Sequence, residues 1–234
     1  MPSEPAYQPR MAISPMTCHE FIDYILRPHQ YPSTVVVCSS REAFLDRLSL
    51  SLHTETADSS THIDETEQSS SPLLIPTIYQ LATSKTVTMA FASSLPHLRA
   101  YLASYLPLRS PLDDSTLLPR SGQQGPLLAV YGLVNLHRAT TEYSVQGLSR
   151  SLAIAVEAAY AWSMRLTLVE ASEDWELSNL ESGPEAAAVT ANDPWREQVP
   201  LLSSSVLPSD ERLRTARTIE VRAVIAKWCS FSNP

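Results

Sequence analysis

The chain has 234 residues, 44% of them hydrophobic, and a formal net charge of −8. It is long enough to bury one full core, and its acidic balance excludes a general nucleic-acid coat, which would be strongly basic. Five glycines argue against a chain built around phosphate loops, because such loops need clustered Gly to bring backbone against the ligand.

Eighteen prolines and many Ser/Thr residues imply long irregular connections. The three cysteines, Cys18, Cys38 and Cys229, are odd in number and far apart, which fits buried thiols in a reducing compartment rather than a disulfide framework. No basic-then-apolar leader opens the sequence and no apolar run is long enough to span a bilayer. The expectation is an intracellular protein that is neither secreted nor membrane-bound.

In chain order, residues 1–15 are Pro-rich and polar and read as an unordered lead, with residues 16–234 forming a single domain. Thr17 predicts a helix N-cap, with Glu20 completing a capping box, Phe21, Ile22, Tyr24 and Ile25 on the apolar side and Pro28 as the stop. Ser33 to Cys38 is β-branched and reads as a strand. Ser39 or Ser40 then caps a helix from Arg41 to about Leu52. Residues 53–72 carry almost no apolar side chain and read as a disordered insertion.

Leu73 to Leu81 is a short apolar segment that suits a helix starting after Pro72 or Pro76. Thr86 to Phe91 reads as a strand and Leu95 to Leu106 as a helix that accepts Pro96 in its first turn. Residues 107–125 read as a second irregular insertion. Leu127 to Val134 is a near-continuous apolar run, as in a strand buried on both faces, followed by the polar connection Asn135 to Glu142. From Ser144 the apolar residues Val145, Leu148, Leu152, Ala155 and Ala159 recur at helical spacing, and Arg165 to Glu170 returns to strand. This β-α-β unit sets the class as α/β, a three-layer α/β/α domain around a mostly parallel sheet. Residues 171–194 form a third, acidic insertion. Val199 to Leu202 reads as a short strand, and Thr218 as the cap of a last helix carrying Ile219, Val221, Val224, Ile225 and Trp228.

The chemistry expected of such a domain is largely missing. The first strand read from the sequence, Val35 to Cys38, leads into Ser39-Ser40-Arg41-Glu42, where a nucleotide-binding domain carries a Gly-rich loop and Lys; neither is there. The strand Leu127 to Val134 ends in neutral Asn135, not in the acidic residue that holds a metal-bound water in nucleotide hydrolases. Ser39 and Ser40 lack the glycines of a nucleophile elbow. Cys18-His19-Glu20 is the one local group of metal-ligand types, and consecutive helical residues splay apart. No catalytic, cofactor or metal residue is assigned and no cofactor is expected. The positive signal is basic: Arg214, Arg217 and Arg222 near the C-terminus, and Arg138 after the central strand at the carboxyl edge where α/β sheets bind ligands. These four are the candidate nucleic-acid or partner contacts. A small α/β enzyme working from His137, Arg138 and Glu142 is the alternative of a different class.

Strands Val35–Cys38, Val87–Phe91, Leu127–Val134 with Gly132, helix Ser144–Met164 and strand Leu166–Glu170 resemble the core of a RecA-like ATPase domain without its phosphate loop and metal carboxylate. The resemblance covers residues 33–170, with Val199 to Trp228 as a continuation. It implies a non-catalytic subunit that pairs with another RecA-like subunit, as in the Shu-type mediators of homologous recombination, and reaches DNA through the complex. Elongator accessory subunits, which act in tRNA wobble-uridine modification, are the second setting it implies. The first setting places the protein in the nucleus and the second leaves the cytoplasm open.

Overall fold

A computed structural model describes residues 9–27, 33–58, 77–104, 126–172, 193–202 and 217–232. At its centre is a sheet of six parallel strands. These are β1 (Arg10–Ile13), β2 (Ser33–Val37), β3 (Val87–Phe91), β4 (Leu127–Tyr131), β5 (Arg165–Val169) and β8 (Ser230–Ser232). Their order across the sheet is β3-β2-β4-β5-β1-β8. Two short strands, β6 (Gln198–Pro200) and β7 (Thr218–Glu220), pair antiparallel in a separate ribbon. Helices cover both faces, so the fold is a three-layer α/β/α sandwich.

The two faces follow from alternation along the strands. One side of β2 and β4, with Val35, Val37, Leu127, Ala129 and Tyr131, packs with Phe21 and Ile25 of α1 (Cys18–Leu26) and Phe44 of α2 (Arg41–Asp58). The other side, with Val36, Leu128, Val130, Leu166 and Leu168, packs with helices α4 (Leu95–Ala103), α6 (Val145–Ala161) and α7 (Val221–Ile225). Every residue of β2, β4 and β5 is buried, as expected of strands sandwiched between helix layers. In register, Ser33 pairs with Leu127 and Leu127 with Arg165, so β4 is the hub between β2 and β5.

The cap signals at the starts of α1 and α2 hold. Thr17 and Glu20 form the capping box of α1. The Ser40 hydroxyl accepts from the Ala43 amide at the start of α2, and the Ser144 hydroxyl from Gly147 at the start of α6. Thr77, after Pro76, caps α3 (Ile78–Ser84) with Gln80 in a second capping box.

Several expectations are corrected. Residues 10–13 are not part of an unordered lead: β1 lies between β5 and β8, with Ala12 and Ile13 buried. The backbone pairing on both sides supplies what a four-residue strand lacks on its own. Residues 53–58 continue α2 rather than opening an insertion. The strand from Leu127 stops at Tyr131, and the supposed polar connection contains helix α5 (Leu133–Arg138). The strand expected at Val199 to Leu202 is instead Gln198–Pro200. Thr218 belongs to β7, and α7 starts after Glu220 without a side-chain cap. The insertion at 107–125, most of those at 53–72 and 171–194, and Arg214 lie outside the described residues.

Leu152 on α6 is fully buried, whereas Tyr160 on the same helix is 65% exposed. Leu152→Ala is expected to cost about 2–5 kcal/mol, through lost burial and the cavity left behind. Tyr160→Ala is expected to stay within about 0.5 kcal/mol. Urea unfolding followed by circular dichroism measures both.

Candidate functional site

Open parallel sheets bind ligands beyond the carboxyl ends of their strands. Here that edge is formed by the turn after β1 (residues 14–17), the turn after β2 (residues 38–40), Gly132 after β4, and Glu170 after β5. The placement of β1 corrects the sequence reading: the chain's first strand is Arg10–Ile13, so Ser14-Pro15-Met16-Thr17 stands at the first strand-to-helix turn. That turn also has no glycine.

It is closed from within. The Met16 amide donates to the Glu170 carbonyl at 2.9 Å and its carbonyl accepts from Ser172 at 3.1 Å. The Tyr131 hydroxyl also donates to the Met16 carbonyl, at 3.1 Å. The Tyr131 ring stacks on Phe21 with centroids 4.4 Å apart, and its hydroxyl lies 3.6 Å from the Cys18 sulfur.

Gly132 carries the chain from β4 into α5 with φ at +80°, a left-handed conformation that costs glycine nothing. As the N-cap of α5 it has no side chain to satisfy the helix amides. Glu170, 2% exposed, supplies the cap from the neighbouring strand. Its carboxylate accepts from the Val134 amide at 2.7 Å and from Asn135 at 3.4 Å. An acid therefore does stand at a strand end, but on β5 and already committed. Asn135, expected at a strand end, lies in α5. Burial pushes the nearby Cys38 thiol up, and the Glu170 charge adds to the effect.

His137 on α5 has no solvent exposure. Its Nδ1–H donates to the Glu142 carbonyl at 3.2 Å, which leaves Nε2 to accept from the Ser151 hydroxyl on α6 at 3.0 Å. Ser151 Oγ in turn accepts from Arg99 of α4 at 3.1 Å. Arg99 also pairs with the Glu142 carboxylate at 2.7 Å. The Arg99 hydrogen bond holds that carboxyl below the usual range. Gly147 makes the close approach possible, since a Cβ there would fall 2.0 Å from the Glu142 carbonyl oxygen. Burial lowers the His137 pKa from 6.5 to about 4. The imidazole is thus a neutral, doubly bonded link between α5 and α6.

The candidate arginines are dispersed. Arg138 is half-buried and forms a two-pronged pair with Glu197, at 2.8 and 3.0 Å. The Tyr143 hydroxyl donates to the same carboxylate. Burial, followed by the Glu197 contact, pushes the Tyr143 phenol up. Arg222 is exposed and lies 4.6 Å over the Phe231 ring, which meets Trp195 edge-on at 5.6 Å. The Trp195 indole donates to the Ile13 carbonyl at 3.1 Å, joining this corner to β1. Arg217 is exposed, and its backbone carbonyl accepts from Leu201. Arg138 bonds the Glu197 side chain, while the Glu197 carbonyl accepts from Val221, the residue before Arg222, at 2.8 Å. Sequence spacing carried no signal for Glu170, Glu197, Arg99 or Ser151, whose partners are 35 to 59 residues distant or on another helix.

Cys18-His19-Glu20 does not converge: Cys18 points into the core, while His19 and Glu20 bond to Thr17 at the helix start. Among the described residues, no group of three or more His, Cys, Asp or Glu is placed to hold a metal ion, and no helix is long and apolar enough to cross a membrane. Neither a scan of protein families nor a search of curated proteins returns a match for this chain.

Glu170→Gln keeps the shape but exchanges a carboxylate that accepts from the α5 amides for a carboxamide with one acceptor oxygen. It is expected to lower stability by about 1–3 kcal/mol, read from urea unfolding midpoints. His137 sets a pH dependence of definite sign. Its folded pKa lies below its unfolded value, so the unfolded chain binds the proton first. Its contribution is therefore whole above pH 6.5 and is lost as pH falls toward 4, up to about 3 kcal/mol. His137→Asn, which cannot titrate, is expected to remove that slope. The difference between wild-type and variant unfolding free energies across this range is the measurement.

Proposed function

We propose that the chain is a non-catalytic, RecA-like subunit of a nuclear complex that assists homologous recombination and DNA repair. The observation that carries the reading is the strand-end crevice: the place where an α/β sheet receives a ligand is occupied by the chain's own Met16, Tyr131 and Glu170. A phosphate would meet a buried carboxylate there instead of a glycine cradle. The sheet order β3-β2-β4-β5-β1-β8 also differs from those of the common dinucleotide- and flavin-binding doubly wound sheets.

What remains for such a domain is assembly. Its partner in this reading is another RecA-like subunit, and DNA is reached through the complex. Exposed Arg217 and Arg222 are the side chains offered outward, whereas Arg138 is engaged with Glu197. Of the alternative enzyme's three residues, His137 has both ring nitrogens bonded internally, Glu142 is paired with Arg99 and Arg138 with Glu197.

The test is affinity purification of the tagged protein at its endogenous level, read by mass spectrometry. Recovery of a recombinase paralogue at near-equal amount is the expected outcome. Recovery of tRNA-modification subunits would transfer the protein to an Elongator-type complex. A partnerless monomer, or tight ATP binding by the purified chain, would overturn the reading.

A further inference from the structure

The two edges of the sheet are finished differently. At one, β8 is three residues long and Arg222 lies over its Phe231 ring at 4.6 Å. A short strand with a cation across it is a poor template for further pairing. At the other, β3 runs for five residues, Val87 to Phe91, with no charge, proline or glycine among them. Among the described residues β3 pairs with β2 alone. Its burial is also incomplete: Thr88 and Met89 are exposed, whereas every residue of β2, β4 and β5 is buried.

The backbone of β3 defines the group that would complete it. The Thr86 carbonyl accepts from the Ser33 amide at 3.2 Å, and the Ala92 amide donates to the Val37 carbonyl at 2.8 Å. In a parallel ladder these bonds fall on alternate residues, so Thr88 and Ala90 also face β2. Val87, Met89 and Phe91 therefore direct their amides and carbonyls away from the sheet. Outward groups at a spacing of two are one half of an antiparallel ladder, and the occupant that matches them is another strand.

The spacing is also self-complementary. Two copies of β3 laid antiparallel about a twofold axis at Met89 place Met89 opposite Met89 and Val87 opposite Phe91. In that register every outward amide meets an outward carbonyl of the other copy. The side chains of these pairs are all apolar, and Thr88 falls opposite Ala90 on the other side of the sheet. Lys85, the nearest charge along the chain, falls beside exposed Ser93 of the second copy, so no like charges are opposed. A twofold contact of this kind requires only the same patch on both copies.

We propose that the chain forms a homodimer through β3, in which the two six-stranded sheets join edge to edge as one continuous sheet. This dimer goes beyond the subunit reading and is separable from it. It is a property of the purified chain, whereas the subunit reading is decided by what the chain carries from cells.

The test is sedimentation velocity of the purified full-length chain over a wide range of concentration. A species of twice the 25.8 kDa chain mass is expected to dominate at the upper end. Met89→Lys sets two ammonium groups against each other at the twofold axis and is expected to weaken the dimer at least about tenfold. Met89 is 38% exposed, and unfolding midpoints check that the variant folds. The double variant Thr88→Cys, Ala90→Cys tests the register and decides alone if Met89→Lys does not fold. Residues 88 and 90 of opposite copies form the closer, non-hydrogen-bonded pair, so oxidised glutathione is expected to give a covalent dimer. The three native thiols are buried, and the wild-type chain is the control. A monomer at every concentration overturns the proposal, as does a dimer that Met89→Lys leaves intact or a cysteine pair that does not cross-link. None of those results alters which proteins the chain recovers from cells, so the subunit reading stands or falls separately.

Discussion

The carboxylate of Glu170 on the first amides of α5 is the contact on which the strand-end side of the molecule depends. Gly132 is needed because the chain must leave β4 and enter α5 through one left-handed residue. That requirement removes the side chain that would cap the helix. Buried amides without partners are costly, and a buried carboxylate without donors is costlier still. Each defect is relieved by the other. The backbone of the same residue binds Met16, so Glu170 closes the turn after β1 as well. A crevice made of groups that already satisfy one another has little left for a phosphate.

The consecutive residues His137 and Arg138 show how a six-residue helix is held in place. Neighbours on a helix point about 100° apart. His137 therefore reaches α6 through Ser151 while Arg138 reaches Glu197. An isolated helix of this length would not persist in water. The segment 193–200 is tied down in return through Glu197 and through the Trp195 indole on Ile13. The last part of the sheet, the ribbon and α5 thus stabilise one another across large sequence separations.

Much of the fold was legible because its signals are local. Continuous apolar runs such as Val35 to Val37 and Leu127 to Tyr131 can be satisfied only by burial on both faces of a sheet. Thr17 with Glu20, and Ser144 before a helical stripe, mark helix starts by groups a few residues apart. β1, β8 and α5 were not legible. β1 and β8 are three or four residues long, and what makes them strands is pairing with a neighbour from the other end of the chain. Gly132 inside an apolar run read as strand, because periodicity does not register a single residue of positive φ.

The candidate site divides the same way. The sequence by itself determined that the chain is α/β, that its central β-α-β unit runs from Leu127 to Glu170, and that the turn Ser39 to Glu42 carries no glycine for a phosphate. Composition and short-range spacing suffice for those statements. The tertiary structure alone decided that residues 10–13 are the strand beside β5, that Glu170 caps α5, and that His137 is sealed while Arg222 faces outward. Those outcomes depend on which distant groups fold within hydrogen-bonding distance, and strand order sets that distance where spacing along the chain does not.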